Sequence, residues 1–107
     1  MPNALDVTDN NFQTEVLNSP APVLVDFWAP WCAPCKAMGP AVDKLAEEQG
    51  ETLKVVKHNT QDEPRIPSQL GVMAIPCFIV FKGGQEVARH SGMMNYDQIQ
   101  AFVIPYI

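Results

Sequence analysis

The segment CFIVFKGGQEVARHS, residues 77–91, constrains the fold of this 107-residue chain more than any other segment. A run rich in aromatic and β-branched residues leads to two glycines, and a second strand-like run follows them. Consecutive glycines supply the positive φ angles that a tight two-residue turn requires, so Gly83 and Gly84 predict a β-hairpin. The hairpin contributes an antiparallel edge to the sheet that the chain forms.

Two further apolar runs predict strands upstream of the hairpin. Residues 22–27, PVLVDF, are short and almost continuously apolar, which is typical of a central strand buried on both faces. Residues 53–58, LKVVKH, predict the next strand. Strands that alternate with helices pair in parallel, and the hairpin adds its antiparallel edge, so a mixed sheet is expected.

Helices are predicted between these strands. The stretch 32–49 predicts a long helix that Pro40 kinks, with apolar residues at helical spacing: Met38, Val42, Leu45 and Ala46. Three shorter helices are expected: one capped by Thr8 or Asp9, a short one within 64–71, and a last one capped by Asn95 and ended near Pro105. The sequence therefore predicts an α/β fold with helices on both faces of the sheet, in a single domain over residues 1–107.

The composition of the chain disfavours several classes of function. The net charge of −5 disfavours binding to nucleic acid or to an anionic membrane, because both need basic patches. No apolar run is long enough to span a bilayer, and the first residues lack the features of a secretory signal. We therefore expect a cytoplasmic protein, although a processed organellar form would have the same sequence features.

Cys32 and Cys35 stand where the helix after the central strand is predicted to begin. Free N–H groups and the positive end of the helix dipole favour an anion there, and the thiolate is the nucleophile in disulfide exchange. Cys35 lies one turn on, close enough to resolve a mixed disulfide formed by Cys32. Pro34 suits the first helical turn because its missing N–H is not needed there. The pair therefore predicts a redox dithiol.

The two cysteines could alternatively bind zinc or be inert core residues. A zinc site needs about four ligands, and beyond the pair only Cys77, His58 and His90 are available, with no second closely spaced ligand pair. No metal site is therefore expected. Two inert core cysteines are also disfavoured, since a helix N-terminus beside Trp31 and Lys36 is a poor place to bury thiols.

Two sequence blocks resemble the thioredoxin family. The segment VDFWAPWCAPCKAMGP is similar to the family's active-site segment, whose usual core is W-C-G-P-C-K preceded by V-D-F-W-A. The segment AIPCFIVFKGGQEVARHSG is similar to its second signature, an I-P-T segment followed by a strand, a glycine turn and a terminal glycine. The resemblance covers essentially one complete domain and implies the thioredoxin fold.

The resemblance implies roles for four residues. The first cysteine, Cys32, would attack the target disulfide, and the second, Cys35, would attack the mixed disulfide and release reduced target. A buried aspartate paired with a lysine of the neighbouring strand corresponds to Asp26 and Lys57, which would handle the proton of Cys35. The residues alone leave open an Asp26 that reaches water at a strand end. They also leave open its pKa, since burial raises it and Lys57 lowers it.

The resemblance also implies a groove that binds an extended segment of the target. Its residues here are Trp31, Ala33, Pro34, Ala74, Ile75, Pro76 and Gly92, and the family's proline at position 76 is cis. Ala33 replaces the usual glycine, which is expected to stiffen the motif and leaves the redox potential and partner preference open. Met73 and Ala74 form either an apolar binding rim or ordinary packing.

Cys77 follows Pro76, where the family usually has threonine. It is either a small buried hydrophobic residue or a third redox thiol that is open to glutathionylation.

The sequence thus predicts a monomeric reductant of protein disulfides, a thiol–disulfide oxidoreductase with no bound cofactor beyond its Cys32–Cys35 disulfide. The resemblance implies that a thioredoxin reductase, fed by NADPH through a flavoenzyme or by ferredoxin, restores the dithiol. A disulfide oxidase or isomerase is the nearest rival, but those relatives usually carry histidine where this chain has Pro34. A binding subunit that supports a partner enzyme without redox turnover is the rival from another class.

Overall fold

The structure, a computed structural model, describes residues 4–107. Its strands are β1 Leu5–Val7, β2 Val23–Trp28, β3 Lys54–Asn59, β4 Cys77–Lys82 and β5 Gln85–Ser91. They form one sheet in the order β1-β3-β2-β4-β5. β3 pairs in parallel with β1 and β2, whereas β4 pairs antiparallel with β2 and β5. The predicted mixed sheet is confirmed.

Strand β1 was not predicted. It has three residues, of which Leu5 and Asp6 are exposed, so it carries no apolar run or alternation that a sequence pattern could detect. Its pairing with β3 places it at the edge of the sheet.

The hairpin forms as predicted. Gly83 and Gly84 have φ angles of 62° and 79°, a region that favours glycine. A Cβ atom at Gly84 would lie 3.1 Å from the carbonyl oxygen of Leu17, so this turn also packs closely against the segment before β2.

The helices are α1 Ala33–Ala37, α2 Gly39–Gln49, α3 Arg65–Gln69 and α4 Tyr96–Val103, with a π-helical segment at Gln13–Leu17 and a 3-10 turn at Ile104–Tyr106. The predicted single helix over 32–49 is wrong in one respect, since it is broken at Met38. Pro40 has no N–H to donate to the carbonyl of Lys36, so the ladder of hydrogen bonds is interrupted there. The break leaves the two cysteines on a short helix of their own.

Helices cover both faces of the sheet, as predicted. α2 and α4 pack on one face, over a core that includes Leu24, Val42, Leu45, Phe78, Val80, Ile99 and Val103. The π-helical segment and α3 lie on the other, over Phe12, Val16, Val25, Phe27, Ile79 and Phe81. Each such side chain, once fully buried, contributes about 1.5–3 kcal/mol to folding.

Two predicted helix caps have different outcomes. The side chain of Asn95 accepts the N–H of Gln98 at 2.8 Å, and the Gln98 side chain accepts the N–H of Asn95 at 2.9 Å, so this cap is confirmed. The first helical segment, Gln13–Leu17, has no side-chain cap, so neither Thr8 nor Asp9 caps it; Thr8 Oγ1 accepts the N–H of Asn11 in the turn before it, at 3.1 Å. The carboxylate of Asp9 instead accepts the N–H groups of Arg65 and Ile66 at 3.0 and 2.9 Å, at the start of α3.

Asp9 also contacts the buried His58, whose Nε2 lies 3.1 Å from Asp9 Oδ1 and 2.9 Å from the carbonyl oxygen of Glu63. The imidazole therefore links the segment after β1 to the approach of α3.

Candidate active site at the Cys32–Cys35 disulfide

Cys32 and Cys35 form a disulfide at the end of β2 and the start of α1, with their Cα atoms 5.3 Å apart. Cys32 is the N-cap of α1, in extended conformation, and Pro34 occupies the first turn. The backbone N–H of Cys35 donates to Sγ of Cys32 at 3.2 Å. A donor aimed at this sulfur favours its thiolate once the disulfide is reduced.

Both cysteines lie just beneath the surface, with exposed fractions of 5% for Cys32 and 4% for Cys35. The residues next to them are exposed, above all Trp31 at 70%. The two sulfur atoms thus lie beneath a surface to which the exposed Trp31, Ala33 and Pro34 contribute.

The segment before β4 borders the disulfide on another side. The Ile75–Pro76 peptide bond is cis, as the resemblance implied. The carbonyl oxygen of Ile75 lies 4.0 Å from Sγ of Cys32, and the carbonyl of Pro76 accepts the N–H of Gly92 at 2.8 Å. Ile75, Pro76 and Gly92 are thereby brought together beside the redox pair.

A cavity of about 180 Å³ opens beside Trp31 and is lined by Trp31, Thr60, Pro67, Val72, Met73, Ala74 and Ile75. Trp31, Ala74 and Ile75 were expected in a groove. Thr60, Pro67 and Val72 were missed, because Thr60 follows β3, Pro67 lies in α3 and Val72 follows α3, and no local pattern connects them. Met73 is 95% exposed, so it packs against little of the protein itself.

Asp26 is buried in β2, with 2% of its surface exposed. It lines a second cavity, also of about 180 Å³, with Trp28, Cys35, Lys36, Gly39 and Lys57. Burial raises the pKa of Asp26 from 3.8 to about 7, against the lowering by Lys57 and together with a further rise caused by Asp43. The net shift in the pKa of Asp26, whose direction the sequence left open, is therefore upward.

Lys57 stands opposite Asp26 in the parallel register of β2 and β3. Its ion pair, however, is with Asp43 of α2, and the Nζ–Oδ1 distance is 3.6 Å. Asp43 could not be singled out from the sequence, because an acid beside the buried stripe of a helix resembles any other surface acid.

Cys77 is buried at the start of β4, with 1% of its surface exposed. It packs in the core on the Phe12 and Phe27 side, whereas the two redox cysteines pack with Ala29. Burial raises the pKa of the Cys77 thiol, although Ser91 and Arg89 lower it. The reactive thiolate form of Cys77 is thus disfavoured.

Among residues 4–107, no group of three or more His, Cys, Asp or Glu side chains could hold a metal ion. Within the same range, no helix is both long enough and apolar enough to cross a membrane.

Comparisons with known proteins agree on one family. The family model described as Thioredoxin matches residues 3–104. Thioredoxin 1 of Nostoc sp. is 52% identical over 84 residues, which is 78% of each chain. Thioredoxin of Porphyra purpurea is 45% identical over 101 residues, 94% of each chain, and thioredoxin of Haemophilus influenzae is 41% identical over all 107 residues of both.

The family model covers nearly the whole chain, and the disulfide at the start of α1 agrees with it. The chain therefore belongs to the thioredoxin family: it is a thiol–disulfide oxidoreductase that reduces disulfide-containing targets by dithiol/disulfide exchange and is returned to its dithiol form by a separate reductase.

Proposed function

We propose that Cys32 is the attacking thiol of this reductant and Cys35 the resolving thiol. The Cys32 thiolate attacks one sulfur of the target disulfide, forms a mixed disulfide and releases the other target sulfur as a thiolate. The Cys35 thiolate then attacks Sγ of Cys32, which forms the Cys32–Cys35 disulfide and releases the second target thiolate. The observation that carries this assignment is the N–H of Cys35 that points at Sγ of Cys32.

Asp26 is proposed as the base that takes the proton of Cys35 before the resolving step. Its pKa of about 7 is near the working pH, which suits a general base. Asp26 and Cys35 line the same cavity, which is large enough for water to carry the proton between them. Lys57 lines that cavity too and would stabilise Asp26 once it is ionised.

The target is proposed to bind as an extended segment across Trp31, Ala33, Pro34, Ala74, Ile75, Pro76 and Gly92. Trp31 and Met73 offer large exposed apolar surfaces next to the disulfide, and burying such surface on a partner supplies binding energy. A target segment with apolar side chains around its cysteine fits this surface best.

For the remaining assignments, we propose a monomer with a single domain over residues 1–107 and no bound cofactor beyond its redox disulfide. The reductase would be an NADPH-dependent flavoenzyme or a ferredoxin-linked enzyme. A reductant needs a reducing compartment, so the cytoplasm is proposed. An organelle is the alternative, and one relative, from Chlamydomonas reinhardtii, is named a chloroplastic M-type thioredoxin.

The roles of the two cysteines are tested by trapping, in a Cys77→Ser background that removes the third thiol. With a target disulfide, Cys35→Ser should accumulate a mixed disulfide visible on a non-reducing gel, because the resolving step is lost. Cys32→Ser should accumulate none. Equal trapping by both variants, or trapping by Cys32→Ser alone, would contradict the assignment.

The direction of electron flow is tested by equilibrating the pair in graded dithiol/disulfide buffers, with tryptophan fluorescence as the readout. A reduction potential below the cytosolic glutathione poise, roughly −220 to −260 mV by extraction methods, is expected for a reductant. A potential above that range would indicate an oxidant, and the absence of a two-electron transition would favour a binding subunit.

A further inference from the structure

We infer that Asp43 is a positioning residue, whose ion pair with Lys57 limits the field of that ammonium at Asp26 so that Asp26 keeps its role as proton acceptor. The inference rests on the proposed role of Asp26, and it adds a residue that the sequence did not single out.

The geometry places Lys57 between two carboxylates. Paired residues of neighbouring parallel strands direct their side chains to the same face of the sheet, so Lys57 and Asp26 share one side. Asp43 approaches that side from α2, and its Oδ1 lies 3.6 Å from Lys57 Nζ. The same Oδ1 accepts the backbone N–H of Ala4 at 3.3 Å, so the carboxylate is held from two directions.

The position of the Lys57 ammonium relative to Asp26 and Asp43 strongly affects the pKa of Asp26. A cation within about 4–6 Å of an aspartate lowers its pKa by about 1–3 units. Lys57 lowers the pKa of Asp26 and Asp43 raises it, and because the ammonium pairs with Asp43, the charge of Asp43 offsets part of the field of Lys57 at Asp26. Burial then dominates, in agreement with the raised pKa of Asp26.

Other charged side chains line the cavities next to Asp26 and Lys57. Lys36 of α1 lines the Asp26 cavity. Asp6 of β1 is the register partner of Lys57 on its other neighbouring strand, and it lines a separate cavity with Lys57 and with Asp62 and Glu63 of the loop after β3. Asp43 is the carboxylate with which Lys57 forms its ion pair within the described part of the chain.

The direct test is an NMR titration of the Asp26 carboxyl carbon in the oxidised protein. Asp43→Asn should lower the pKa of Asp26 by about one unit, the low end of the range for a nearby cation, because Lys57 becomes free to turn to Asp26. Asp43→Glu keeps the charge and should restore most of the original value. An unchanged or higher pKa in Asp43→Asn would overturn the inference.

Two comparisons separate positioning from simple charge repulsion. In a Lys57→Met background, Asp43→Asn should shift the pKa of Asp26 by less than half as much, and an equal shift would show that Asp43 acts directly. Asp62→Asn removes the same charge from the second cavity that Lys57 lines. This variant should leave the pKa of Asp26 unchanged. A shift in that pKa as large as the one caused by Asp43→Asn would refute a specific role for Asp43.

The kinetic readout is the pH profile of target reduction. Asp43→Asn should move its acid limb to lower pH by the same amount as the titration, because the proton acceptor then ionises at lower pH. The Asp26→Asn profile tests the proposed function separately. If that variant keeps the acid limb, Asp26 is not the base, while the NMR titration still decides whether Asp43 positions Lys57.

Discussion

Replacing Asp26 by asparagine should stabilise the protein at alkaline pH and leave its stability unchanged in acid. The carboxyl is buried, and burial raises its pKa from 3.8 to about 7, whereas in the unfolded chain it titrates near 3.8. Between these values the native state binds more protons than the unfolded state, so stability falls as pH rises. The difference of about 3 units corresponds to about 4 kcal/mol, at about 1.4 kcal/mol per unit.

This loss is complete well above pH 7, where the native protein contains a buried carboxylate, and it is absent below about pH 3, where the carboxyl is neutral in both the native and the unfolded state. The amide stays neutral throughout, so Asp26→Asn should exceed the parent by about 4 kcal/mol at about pH 8.5 and match it at about pH 2.5. Urea unfolding of both oxidised proteins at these two pH values measures the free energies of unfolding. A difference between the variants that is the same at both would refute the reasoning, and the exposed Asp62→Asn serves as control.

Three further substitutions test local features. Asn95→Ala removes the confirmed cap of α4 and should destabilise the protein by about 1 kcal/mol in urea unfolding, and an unchanged midpoint would show that the cap is dispensable. Gly84→Ala should destabilise it by about 1–2 kcal/mol, since its φ is 79° and the carbonyl oxygen of Leu17 is close; the matched Gly39→Ala, whose Cβ meets nothing, should not. Met73→Gln should raise the KM for a protein disulfide by up to about tenfold and leave the reduction of a small-molecule disulfide unchanged, whereas equal losses for both would place Met73 outside the target surface.

Features whose cause lies within a few residues could be predicted from the sequence. The Gly83–Gly84 turn depends on two adjacent backbone conformations, and the Asn95 cap depends on N–H groups three residues away. The disulfide joins residues three apart on one helical turn. Strand β2 could be predicted because a strand buried on both faces is apolar at nearly every position, and Asp26 is the exception here.

Features that join distant parts of the chain could not be predicted. Asp9 satisfies the first N–H groups of α3 across more than fifty residues, and no pattern near Asp9 indicates that partner. Strand β1 is recognisable only by its pairing with β3. The cavity beside Trp31 is lined by residues from α3 and from separate loops, each ordinary in its own segment.

By itself the sequence determined the reactive group of this protein, because the spacing of Cys32 and Cys35 and the helix start are local, covalent properties of the chain. Only the tertiary structure decided how protons can be handled around that group. The pKa of Asp26 depends on how deeply β2 is buried, and the partner of Lys57 depends on where α2 packs. Burial and ion pairing are set by neighbours in space, and the fold brings Asp43 to Lys57 from a separate element of the chain.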